Sequence, residues 1–154
     1  AAVKNIREGY DDGDRSTPDY VIEKSRRVYD RHIEATKMYY SAGGRIAMGT
    51  DAGTPHNRHG ENARELEFMC DIGISARDSL FFATASAADL MRLSDHGRIK
   101  EGNIADFVVC DGDALADIKR AARKENHRMV VKRGIVAKDN RAAFAAQATR
   151  VAAE

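Results

Sequence analysis

The stretch RIAMGTDAGTP, Arg45 to Pro55, limits the possible folds of this chain more than any other. Three apolar residues, Ile46-Ala47-Met48, lie between Gly43-Gly44 and Gly49. So short a run, bracketed by glycines, cannot supply the recurring face of a helix, and it reads as a short buried strand. Asp51 follows at the end of that strand, with Ala52 and Gly53 behind it. Spacing alone leaves two readings of Asp51. It is an aspartate capping the next turn, or a carboxylate at a strand end, where α/β barrels collect their functional groups. In the second case it could bind a divalent metal and exchange a proton with water.

The strand is preceded by a helical pattern. Thr17-Pro18 reads as a helix start, with Thr17 as cap and Pro18 in the first turn. Ile22, Ser25, Tyr29, Ile33, Thr36 and Tyr40 recur at helical spacing, and Gly43-Gly44 stops the helix. Helix, tight turn and strand in succession indicate α/β organisation. Residues 1–16, polar and rich in Asp and Gly, read as a loop.

After Asp51, residues 53–60 (GTPHNRHG) read as a loop that carries His56 and His59. An H-x-x-H pair on irregular backbone is a weak zinc signature, because nothing fixes both rings on one face. Glu61 to Cys70 reads as a helix stopped by Gly73. Ser75-Ala76-Arg77-Asp78 is a capping-box pattern opening another, with Leu80, Phe81, Thr84, Ala87, Ala88 and Met91 as its apolar side and a break expected near Ala85-Ser86. His32, His96 and His127 have no assigned role.

From Ser94 the pattern becomes β-rich. Phe107 to Cys110 reads as a strand, Asp113 to Lys124 as a loop with a short helix, and MVVKRGIVA as a hairpin around Gly134. Arg141 to Glu154 is alanine-rich and reads as helical. The expected division is therefore 1–93, 94–139 and a tail over 140–154.

With 154 residues, 43% hydrophobic and 32% charged, a packed core is possible. No apolar run reaches the ~20 residues of a membrane span. The first residues show no signal pattern, which favours a cytoplasmic protein, although Ala1-Ala2-Val3 does not resemble a natural initiation. Cys70 and Cys110 stand apart in apolar settings and read as reduced thiols. The net charge is +1, but basic residues cluster between Lys119 and Arg141. Such a cluster is a solvated face, a surface for an acidic partner, or a nucleic-acid site, and no interleaved aromatics support the last. The chain contains no serine-nucleophile elbow, P-loop or dinucleotide fingerprint.

Taken in order, these segments resemble the C-terminal part of a metal-dependent amidohydrolase, in the branch of prolidase-like and imidazolonepropionase-related enzymes. SAGGRIAMGTDAGTP resembles the last barrel strand and its aspartate, and HGENARELEFMCDIGIS the loop and helix after it. SLFFATASAADLMRL resembles the following helix pair. GRIKEGNIADFVVCDGDAL and VVKRGIVA resemble the return into a small β-domain. The likeness runs over residues 18 to 138.

The resemblance implies an α/β fold, the end of a (β/α)8 TIM-type barrel with part of a small β-sandwich. It also implies one or two divalent ions, usually zinc, and hydrolysis of a carbon–nitrogen bond in a small-molecule or dipeptide-like substrate. It gives Asp51 the roles of metal ligand and proton shuttle, and His59 that of a substrate-loop contact; His56, in the same loop, is a second candidate for such a contact. The family's His-x-His is absent, and Ala114 stands where proline is common. A whole barrel takes ~250 residues. The expectation is that the rest of the barrel comes from another chain or segment, or that a homo-oligomer completes it, and that the isolated chain is inactive. The competing reading is a non-catalytic module that binds nucleic acid or an acidic partner through Lys119 to Arg141.

Overall fold

The computed structural model describes residues 2–145. The chain opens with α1 (Ala2–Asp11) where a loop was expected. The Asp/Gly-rich string begins only at Gly9, and the residues before it hold α1 against the rest of the molecule. The Lys4 ammonium lies 4.5 Å over the Phe68 ring, and the Arg7 guanidinium 4.6 Å over Tyr29. Lys4 also pairs with Asp71 at 3.2 Å. Tertiary packing outweighs the composition of a short segment here.

Helix α2 (Asp19–Ser41) carries the expected stripe. Ile22 and Ser25 are buried, and Tyr29, Ile33, Thr36 and Tyr40 are half-buried on the same side. Its start differs in detail from the expectation. Pro18 occupies the cap position, and Thr17 is buried with its hydroxyl unpartnered among the described residues, so it does not cap. Its end matches: the Gly44 amide donates to the Tyr39 carbonyl at 2.9 Å, closing the last turn.

Arg45 to Thr50 is extended but forms no strand. Its middle is held by two bonds: the Met48 amide donates to the Phe82 carbonyl at 2.9 Å, and the Ser86 hydroxyl donates to the Ile46 carbonyl. A strand requires a hydrogen-bonded neighbour. None lies beside this segment among the described residues, so the expected strand is not formed there.

The loop after Asp51 leads through a 3-10 turn (Asn62–Arg64) into α3 (Glu65–Asp71), then α4 (Ala76–Ala83) and α5 (Ala85–Leu90). Ser75 caps α4 as expected, accepting from the Asp78 amide at 3.0 Å while its hydroxyl donates to the Asp78 carboxylate at 2.7 Å. The break falls at Thr84, where φ is −122° and ψ −87°. Ala88 is buried as expected, but the rest of the inward face is shifted from the expected one. Ser79, Phe82, Ala85 and Ala88 are buried, while Phe81 and Met91 are exposed. The sequence is apolar on both sides here, so periodicity could not choose the side.

Met69, Ile74 and Phe82 form the core, with Tyr40, Ile46, Met48 and Ile72 packed against it. Tyr40 meets Phe82 edge-on at 6.1 Å and donates to the Asp78 carboxylate at 2.5 Å. The end of α2 is thereby tied to the start of α4, with the extended segment between them.

The second region is a three-stranded antiparallel sheet in the order β1 (Phe107–Cys110), β2 (His127–Lys132), β3 (Ile135–Asp139). Phe107 faces Val131, and Val131 faces Val136. The β2–β3 turn has φ of 51° at Arg133 and 77° at Gly134, the left-handed pair that suits a two-residue hairpin. Helix α6 (Lys119–Ala122) lies in the β1–β2 connection and buries Ala122. The described residues thus supply one sheet where part of a sandwich was expected. Residues 141–145 are helical, and the rest of the expected tail lies outside the described residues. Among the described residues no helix is long and apolar enough to cross a membrane.

Candidate active site

The extended segment delivers Asp51 to a sharp turn. Its φ of 53° is the left-handed region, which costs a residue with a side chain ~1 kcal/mol or more. The turn is held by a dense set of bonds. The Thr54 hydroxyl donates to the Asp51 carbonyl at 3.0 Å. The Gly53 amide donates to the Asn57 carbonyl at 2.8 Å, and the Asn57 amide to the Thr54 carbonyl at 2.9 Å. The side-chain amide of Asn57, only 4% exposed, donates to the Thr50 carbonyl. Its oxygen accepts from Asn5 of α1 at 3.4 Å. Asn62 donates to the Thr50 hydroxyl at 3.3 Å.

Asp51 is exposed, and it lines a cavity of about 440 Å³ together with Ile46, Met48, Tyr29, Phe68 and Met69. The walls are mainly apolar. Lys4, His32, Glu65 and Asp71 share the rim with Asp51, so the carboxylate meets solvent and other charges at the mouth of an apolar hollow. The metal question is answered by the donor set. Among the described residues no three of the His, Cys, Asp and Glu side chains converge. A catalytic zinc takes about three protein ligands, so the described residues do not fit a complete metal site, and Asp51 could be one ligand of several.

The two loop histidines lie in different places. His56, at φ 59°, turns toward the α1–α2 junction, its Nε2 3.2 Å from the Asp14 carboxylate and its ring against Gly9. The hydrogen bonds from Ser16, and then the imidazole, hold Asp14 below the usual carboxylate range. His59 flanks the Asp51 turn, close enough that a Cβ on Gly53 would lie 3.1 Å from its Nε2. Asn57 and Asn62 carry no sequence signal, since an asparagine in a loop has many local uses and these bonds reach back seven and twelve residues.

The basic stretch is largely neutralised in space. Arg123 makes two 2.9 Å bonds to Glu67 of α3. Arg120 pairs with Asp117 and Lys124 with Glu61, at 3.5 and 3.7 Å. Arg128 pairs with Asp111, Lys132 with Asp106, and Arg141 with Asp139. Asp117 and Asp139 lie close in sequence to their partners, whereas Glu67, Glu61, Asp111 and Asp106 come from elsewhere in the chain and were invisible in the local string. The nucleic-acid or acidic-partner reading loses its support. The cysteines are unpaired, and partial burial pushes the Cys110 thiol up.

Comparison with known proteins gives a consistent set. The amidohydrolase family model matches residues 10–136. The chain is similar to the crystal structure of a Xaa-Pro dipeptidase with methionine bound in its active site, at 29% identity and a TM-score of 0.76 over 88% of this chain. It is similar to an ochratoxinase from A. niger at 29% identity and a TM-score of 0.64 over 74% of its length. A prolidase bound to N-methylphosphonate-L-proline shares the fold, with a TM-score of 0.78 over 90% of the chain at 24% identity. The chain spans only 32%, 26% and 33% of those three proteins, about a third at most. No curated protein matches it in sequence.

Proposed function

The chain belongs to the amidohydrolase family, and on that premise we propose that it forms the last part of a metal-dependent hydrolase that cleaves a carbon–nitrogen bond in a dipeptide-like substrate. The observation that carries this reading is Asp51 in its braced turn, beside an apolar cavity, at the end of an extended segment whose edges are open.

In this reading Arg45 to Thr50 is the final strand of a (β/α)8 barrel. The amide and carbonyl of Ala47 and of Gly49 have no partner among the described residues. Unpaired backbone groups along an extended segment are a template for further strands. Polypeptide beyond the described residues, in the same chain or another, supplies them, and with them the remaining metal ligands.

Asp51 contributes one carboxylate to the metal centre. Asp51 would be one of several residues holding a divalent ion, and such an ion, when bound, would supply Lewis acidity. Within such a centre the Asp51 carboxylate would serve as the group that takes a proton from water and returns one to the leaving nitrogen. His59, beside the turn, is placed to meet the substrate, while His56 anchors the same loop to α1. The likeness to the Xaa-Pro dipeptidase supports a dipeptide with a C-terminal imino acid as the first substrate to try.

The test is Asp51→Asn in the completed, metal-loaded protein, assayed on Xaa-Pro dipeptides. Turnover should fall by about a thousandfold or more, with an unchanged circular dichroism spectrum. Activity within tenfold of the parent would end the assignment.

A further inference from the structure

The left-handed backbone at Asp51 is held from outside the turn, and one buried side chain does most of the holding. Asn57 is nearly inaccessible, yet lies in the middle of the otherwise open loop 53–60. A buried amide persists only when its polar atoms are matched, and each polar atom of Asn57 is committed. Its Nδ2 donates to the carbonyl of Thr50, the residue bonded to Asp51. Its own carbonyl closes on the Gly53 amide at 2.8 Å, and its amide on Thr54 at 2.9 Å. Its Oδ1 accepts from Asn5, so α1 buttresses it from behind. The Thr50–Asp51 peptide therefore cannot rotate without breaking the Asn57 bond. Asn62 on the Thr50 hydroxyl and Thr54 on the Asp51 carbonyl restrain the flanks.

We propose that Asn57 is the positioning residue that locks the Thr50–Asp51 peptide, and that α1 acts through Asn5 and Asn57 to fix the direction of the Asp51 carboxylate. The proposal rests on the reading of Asp51 given above. Its geometric half concerns the turn alone. Its chemical consequence is a misdirected carboxylate that binds substrate normally and transfers protons poorly, because orientation enters the rate more strongly than it enters binding.

Amide hydrogen exchange on the 154-residue chain tests the geometric half. Asn57→Leu keeps the side chain's size and removes its hydrogen bonds. Exchange at Gly53 and Asn57 should accelerate at least about tenfold, while α4 amides keep their rates. If that variant loosens α4 as well, Asn5→Ala decides. It removes only the buttress and should speed the same two amides by about threefold. In the completed enzyme, Asn57→Leu should lower kcat by roughly 10- to 100-fold with KM within threefold. Unchanged exchange at Gly53 in Asn57→Leu and Asn5→Ala overturns the proposal, as does faster exchange with unchanged kcat. The Asp51→Asn result stands apart from these: turnover that survives it removes the role of Asp51, whereas a turn that stays closed without Asn57 removes this one.

Discussion

At the scale of single residues, charge pairing across elements is the feature most open to measurement. Glu67 of α3 is held below the ordinary glutamate range first by its hydrogen bonds from Arg123, and then by the charge of that guanidinium. Its native value is lower than its unfolded one, so the pair contributes stability above the unfolded value and loses it as pH falls through the lowered native value. Glu67→Gln should therefore melt at a lower temperature than the parent at pH 7. The gap should close as pH drops below the ordinary value of 4.5, read by thermal denaturation across pH 7 to 3. A constant gap would place the contribution of Glu67 in packing. Asp51 was singled out through the likeness of its segment to a last barrel strand, since spacing alone left it open between a turn cap and a strand-end carboxylate. Asn57 was not legible, since its meaning depends on a carbonyl seven positions back that only the folded loop brings near. The same holds for Glu67: nothing in its local string points to Arg123.

At the scale of elements, the joint between α4 and α5 shows how a break is put to use. The chain departs from helix at Thr84, and the later turn at Gly97 fits into the notch. Gly97 has φ of +74°, and a Cβ there would lie 2.6 Å from the Thr84 carbonyl and 2.7 Å from Ala88. Arg98 then fastens the turn to Asp89 with bonds of 2.9 and 2.7 Å. Gly97→Ala should cost about 2 kcal/mol or more, from backbone strain and overpacking together. Urea denaturation should show a lower midpoint at constant slope. Most elements were legible because their punctuation is local: the glycine stop of α2, the Ser75 cap of α4, the Arg133-Gly134 turn. Helix α1 was missed because its stability comes from Phe68, Tyr29 and Asp71, remote in sequence. The inward side of α4 was misassigned because Phe81 and Phe82 are equivalent by composition, and contact with Tyr40 chooses Phe82.

At the scale of the molecule, the chain presents two kinds of surface. The sheet region pairs its three strands with one another and many of its charges among themselves. The helical region leaves the extended segment open beside the 440 Å³ cavity, with Met38 72% and Tyr39 55% exposed nearby in sequence. Open strand edges together with apolar surface favour association. By itself the 17.0 kDa chain should sediment above its monomer mass at tens of micromolar, bind a hydrophobic dye, and hydrolyse no dipeptide. A sharp monomer, with no dye binding and protected amides from Ile46 to Thr50, would contradict the reading of an open edge.

The hairpin has a consequence for the order of assembly. Strands β2 and β3 meet across two residues, and the turn is fastened to the approach to β1 by the Gly134 amide on the Ala105 carbonyl at 2.9 Å. Pairings so close in sequence form quickly. The β2–β3 hairpin can therefore form from its own residues ahead of the distant contacts with Phe82 and Ser86 that seat Ile46 to Thr50, and the two halves of the chain run on different clocks.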